Sequence, residues 1–228
     1  MEGNTKKHLI RSGLLFLLFV LFTVSVSCFD VQPIGPEQSE VGLATINQFV
    51  FRLTGVHSIW YDITDWLGVV AILFAFGFAA VGLCQLIERK SIRKVDSRIL
   101  VLGLFYILVV AFYLLFEQAV INYRPVILGK ELEASYPSSH TMIVVCIMAT
   151  AVKQFRSLCP NRKNLCLGVK IAAVLLMAIT VIGRLISGVH WFTDIVGGLL
   201  LSAALVTLHY AVVEYSEKRW PPHHANQR

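Results

Sequence analysis

The chain has 228 residues, of which 56% are hydrophobic and 15% charged, with a formal net charge of +6. A soluble domain carries about a quarter charged residues, and here the apolar residues run in long blocks with no polar residue returning at helical spacing to make a wet face. These features exclude an ordinary soluble enzyme and predict an all-α integral membrane bundle, with lipid as the solvent of most helix faces. The basic surplus sits at block ends, so it reads as orientation signal and headgroup contact rather than as a nucleic-acid surface.

The first apolar block covers about 12–29, behind Lys6, Lys7 and Arg11. It reads either as a cleaved leader or as a retained first span. The poor processing site Ser25-Val26-Ser27 before Cys28 favours the second, and both readings put the next segment outside the cytoplasm. Pro33, Gly35 and Pro36 then break regular structure. The stretch Val41–Trp60 is amphipathic enough to lie on the membrane surface, with Trp60 and Tyr61 suited to the interfacial belt. Further spans are expected at about 63–87, 99–117, 140–156, 169–186 and 191–213, followed by a tail over 214–228. Pro221-Pro222-His223-His224 in that tail reads as disordered.

The cluster Glu88–Lys94 and the basic residues Arg162, Lys163 and Lys170 mark the cytoplasmic ends of the second and fourth spans. Both termini are then cytoplasmic, which suits a cell membrane protein whose site faces outward. The five cysteines, Cys28, Cys84, Cys146, Cys159 and Cys166, show no disulfide framework. No metal-ligand spacing stands out, and no cofactor is implied.

This topology collects Arg124, His140, Arg184, His190 and Asp194 at the outer ends of the last four spans. Ionisable residues are costly at such positions, so their convergence points to a site. His190 and Asp194 are four residues apart, and a carboxylate bonded to one ring nitrogen would leave the other free to attack. A helix cap beside an interfacial histidine is the plainer alternative. Ser138 and Ser139 before His140 can cap a helix or offer its amides to a phosphate. His140 there suits a general acid, and Arg124 and Arg184 suit phosphate through their paired, permanently charged donors.

In order along the chain stand Arg124-Pro125, Pro137-Ser138-Ser139-His140 and Gly183-Arg184-x5-His190-x3-Asp194. Together they resemble the three motifs of the type 2 phosphatidic acid phosphatase family, which shares its site design with vanadium haloperoxidases. The resemblance implies a metal-independent membrane phosphatase acting on a lipid phosphomonoester or pyrophosphate through a phosphohistidine. Phosphatidic acid, phosphatidylglycerophosphate and a polyprenyl pyrophosphate are candidate substrates. It further implies that His190 is the nucleophile, Asp194 its orienting partner and His140 the proton donor. Arg124, Ser138, Ser139 and Arg184 would hold the phosphate.

A lipid-to-lipid phosphotransferase and a non-enzymatic transporter or assembly factor remain alternatives. A transporter's site would lie nearer the bilayer midplane. The chain departs from the family at three places. Glu117 stands where the first motif begins with lysine, Ser139 replaces glycine, and Gly183 replaces serine. Glu117 is expected to turn away, to pair with an arginine or to mark a different substrate headgroup, Lys130 is a candidate source of the missing charge, and Gly183 is expected to lose a polar contact.

Overall fold

The computed structural model describes residues 2–219, so the Pro221–His224 expectation lies outside the described residues. Among the described residues, seven α-helices follow one another: α1 (Glu2–Cys28), α2 (Ala44–Thr54), α3 (Ser58–Arg89), α4 (Ser97–Gln118), α5 (Ser139–Leu158), α6 (Lys163–Ile186) and α7 (Phe192–Arg219). All except α2 are long and apolar enough to cross a membrane, which gives six candidate spans. Leu73, Phe76, Leu104, Ile107 and Ile182 are each more than half exposed on these helices. Apolar surface on that scale belongs in lipid rather than water. The all-α membrane bundle expected from composition is the observed fold class.

Helix α5 and helix α7 carry the largest buried share of any span, at 50% of their apolar windows, so they form the centre of the bundle. Helix α1 packs along α7, and α3, α6 and α4 surround α5. Small residues permit the closest approaches. A Cβ on Gly197 of α7 would stand 2.6 Å from the Tyr136 ring, and one on Gly198 would stand 3.0 Å from the Ser138 carbonyl. The Tyr136–Ser138 segment is therefore laid directly on the α7 backbone. Ser12 of α1 donates to the Ala204 carbonyl of α7 at 2.9 Å, and Thr23 meets the Tyr136 hydroxyl at 2.8 Å.

The amphipathic stretch is divided rather than continuous. Helix α2 ends at Thr54, Gly55 takes φ 70°, and α3 starts at Ser58. Trp60 and Tyr61 therefore belong to the first turn of the long α3. At about 1.5 Å per residue, its 32 residues exceed the roughly 30 Å apolar thickness of a bilayer, so the ends of α3 reach the interfaces. Helix α2 is pinned beneath the start of α7. Asn47 donates to the Gly42 carbonyl and to Thr193 Oγ1, both at 2.9 Å, and its own side-chain oxygen accepts from the Thr193 amide at 3.1 Å.

Candidate active site

The starts of α3, α5 and α7 and the ends of α4 and α6 lie at one end of the bundle. The connection from α4 to α5 folds back on itself there. The Arg124 amide donates to the Glu133 carbonyl at 3.0 Å, and the Ser135 amide donates to the Asn122 carbonyl at 2.9 Å. This pairing fixes where Arg124 and Ser135 stand. The Trp191 indole donates to the Tyr123 carbonyl at 2.8 Å and ties the connection to the start of α7.

His190 lies in the turn between α6 and α7, is 2% exposed, and has its ring positioned through Nδ1. That nitrogen is 3.1 Å from the Ser135 carbonyl and 3.6 Å from Asp194 Oδ2. A carbonyl only accepts, so the bond to Ser135 places a hydrogen on Nδ1 and leaves the lone pair on Nε2. His190 Nε2 is buried without a hydrogen-bond partner. The expected carboxylate bond to His190 is thus made by a backbone carbonyl, with Asp194 just beyond hydrogen-bond range. Asp194 accepts instead from the Trp191 amide at 2.8 Å and from Asn122 Nδ2 at 3.4 Å, as an acidic residue in the first turn of α7. Burial, and then the charges of Arg124 and Arg184, hold the His190 pKa well below the ordinary histidine value.

His140 is the second residue of α5, and its Nε2 lies 3.0 Å from Asp65 Oδ1. Arg184, near the end of α6, is fully buried, with its guanidinium 5.1 Å from the Tyr61 ring. Its Nη2 also donates to Asp65 Oδ1 at 3.0 Å, while Nε and Nη1 have no partner. Arg124 Nε stands 3.0 Å from Glu133 Oε2, and Arg124 Nη1 is buried without a partner. A buried donor left without a partner costs about 1–3 kcal/mol. Several such donors on the two arginines, close enough for their charges to act on both imidazoles, describe a place built for an anion.

Ser138 is the N-cap of α5: its side chain accepts from the Thr141 amide at 3.4 Å, and its own amide donates to the Asp194 carbonyl at 2.9 Å. Its hydroxyl is committed to the helix. Ser139 is the first residue of α5 and lines a small crevice with Phe116, Glu117 and Pro137. Glu117 is exposed and pairs with neither arginine; the carboxylate partners are Glu133 for Arg124 and Asp65 for Arg184. Lys130 is exposed in the connection. Gly183 has a packing reason, since a Cβ there would stand 2.5 Å from Thr64 Cγ2 and 3.1 Å from the Trp60 ring.

Sequence reasoning missed Asp65, Asn122 and Asn47. The only local signal at Asp65 is a carboxylate in the opening turns of a span, which reads as an interfacial residue. Nothing local marks the two asparagines, whose partners lie 72 and 146 residues away.

The PAP2 superfamily sequence profile matches residues 116–218. No curated protein matches the chain. Among solved structures, the chain is similar to the first transmembrane PAP2 type phosphatidylglycerolphosphate phosphatase from Bacillus subtilis. The two are 18% identical with a TM-score of 0.62, over 90% of this chain and 96% of that one. At that identity the likeness is one of fold.

Proposed function

Starting from an integral membrane protein whose residues 116–218 belong to the PAP2 superfamily, we propose that it is a lipid phosphatase working through a phosphohistidine on His190. The observation that carries this reading is the state of the His190 ring. Its Nδ1 is engaged by the Ser135 carbonyl, and its Nε2 is buried and unpartnered beside two arginines. Such an imidazole is a nucleophile held in one orientation.

In the first step, His190 Nε2 forms a bond to phosphorus as the bond to the leaving oxygen breaks. Arg124 and Arg184 neutralise the charge on the phosphoryl oxygens, and amides at the start of α5 assist. His140 gives its proton to the leaving oxygen. Asp194, at 3.6 Å, stabilises the positive charge that develops on the His190 ring. In the second step, His140 takes a proton from water as that water attacks the phosphohistidine, which returns His190 and releases inorganic phosphate. Both steps ask mainly for positioning and charge, so the reaction is assigned as metal-independent.

The substrate is assigned as a lipid phosphomonoester or pyrophosphate. The site lies at helix ends, where a headgroup at the interface can reach it while the acyl chains remain in the bilayer. The basic residues gather at the opposite end, which supports a site on the outer face of the cell membrane.

Phosphate release by the purified protein from a panel of lipid phosphates, with and without chelator, tests this reading. Turnover of at least one of them, unaffected by chelator, is the expected result. Activity that disappears with chelator and returns with a divalent cation would overturn the mechanism.

A further inference from the structure

Helix α3 contributes none of the three motifs, yet one of its faces walls the site. Tyr61, Asp65 and Gly68 share that face at helical spacing. The Tyr61 ring lies against Arg184. A Cβ on Gly68 would stand 3.2 Å from His140 Cδ2, so the edge of the His140 ring rests near bare backbone. One turn earlier, Asp65 Oδ1 sits 3.0 Å from both His140 Nε2 and Arg184 Nη2. A single oxygen 3.0 Å from both nitrogens, accepting from Arg184, is the arrangement that a phosphoryl oxygen would adopt between them.

The two partners differ in their freedom to leave. The Asp65 side chain is 49% exposed, whereas that of Arg184 is fully buried. The carboxylate can turn out to water with little change in solvation. The guanidinium cannot follow it without breaking the packing around α6.

We propose that Asp65 is an internal competitor for the phosphate site, its carboxylate holding one oxygen position until a substrate phosphate displaces it. The proposal rests on the phosphatase reading above. The groups facing Asp65 and its partners are cationic or neutral: Arg184 from α6, His140 from α5, Arg124 from the α4–α5 connection and His190 from the α6–α7 turn. An internal carboxylate keeps such a site compact when empty. It also weakens every anion that must take its place. A lipid phosphate brings extra binding from its chains, whereas free phosphate and other soluble anions do not. Asp65 therefore lowers the affinity of the site for free anions and speeds release of the product phosphate, while the chains of a lipid phosphate offset the same penalty.

Orthovanadate and inorganic phosphate are the probes, measured as inhibitors of lipid-phosphate hydrolysis by the full chain in detergent. Asp65→Asn keeps the shape and removes the charge, and Asp65→Ala removes the competing oxygen as well. For either variant the inhibition constants of both anions are expected to fall about tenfold, the scale of one unit charge lost near a bound anion at a partly solvated site. Vanadate-induced thermal stabilisation gives the same comparison for a variant that folds but turns over poorly. Inhibition constants that stay unchanged or rise would show that Asp65 prepares the donors instead of competing for them, and would overturn the proposal. A wild-type protein that neither hydrolyses any lipid phosphate nor binds vanadate would overturn the phosphatase reading itself, an outcome distinct from an active wild type with an unresponsive Asp65→Asn.

Discussion

At the scale of single residues, the site depends on which imidazole nitrogen is occupied. His190 has one nitrogen committed to a backbone carbonyl and the other free, and its burial beside two arginines favours the uncharged ring. An imidazole with a lowered pKa keeps its nucleophilic lone pair as the pH falls. After allowance for ionisation of the substrate, the acid limb of kcat/KM is expected well below the ordinary histidine value, because that parameter reports the free enzyme. An acid limb at or above that value, measured on a substrate of known ionisation, would show that the charged ring is favoured instead. Glu117 makes a second prediction at this scale. It is exposed and unpaired with either arginine, so Glu117→Lys is expected to leave phosphatidic acid turnover within about twofold, as surface changes usually do. A large gain would place position 117 at the phosphate after all. His140, His190, Asp194 and the two arginines were readable from sequence because their motif order and the topology converge. Asp65 was not, because a carboxylate in the opening turns of a span has the look of an interfacial residue until its partners on α5 and α6 are in place.

At the scale of helices, small residues decide how closely the site's walls approach. The apolar blocks revealed the spans because lipid demands uninterrupted hydrophobic faces. The block pattern did not reveal the division of the amphipathic stretch at Gly55, since the same apolar spacing continues on both sides of it. Nor did sequence supply the role of Gly183, where a missing polar contact was expected. The structure shows α6 pressed against Thr64 and Trp60 of α3. Gly183→Ser is therefore expected to lower stability by about 1–3 kcal/mol, the usual cost of overpacking. It should also disturb Arg184, its chain neighbour. Thr64→Ala, which removes the obstructing methyl, should recover part of the loss in a thermal denaturation series. Equal stability of wild type and Gly183→Ser would contradict the close packing of these two helices.

For the whole molecule, the arrangement is a membrane bundle with the candidate site at one end and a basic cluster at the other. Arg89 ends α3 and Lys90, Arg93 and Lys94 follow it, Arg162 precedes α6 and Lys163 begins it, and Lys218 and Arg219 close α7. This distribution is the ground for the proposed cytoplasmic orientation of the basic end. In a cysteine-free background in intact cells, a membrane-impermeant thiol reagent should label Lys130→Cys, and it should label Arg93→Cys only after permeabilisation. The reverse pattern would invert the topology and place the site inside the cell. The central claim is nevertheless chemical: that phosphate passes through His190. Rapid quenching of the enzyme with a lipid substrate labelled in its phosphate tests it most directly. The account predicts an acid-labile, alkali-stable label on the wild-type protein during turnover, absent from His190→Ala. Turnover of the lipid phosphate by His190→Ala, or label retained on that variant, would contradict it.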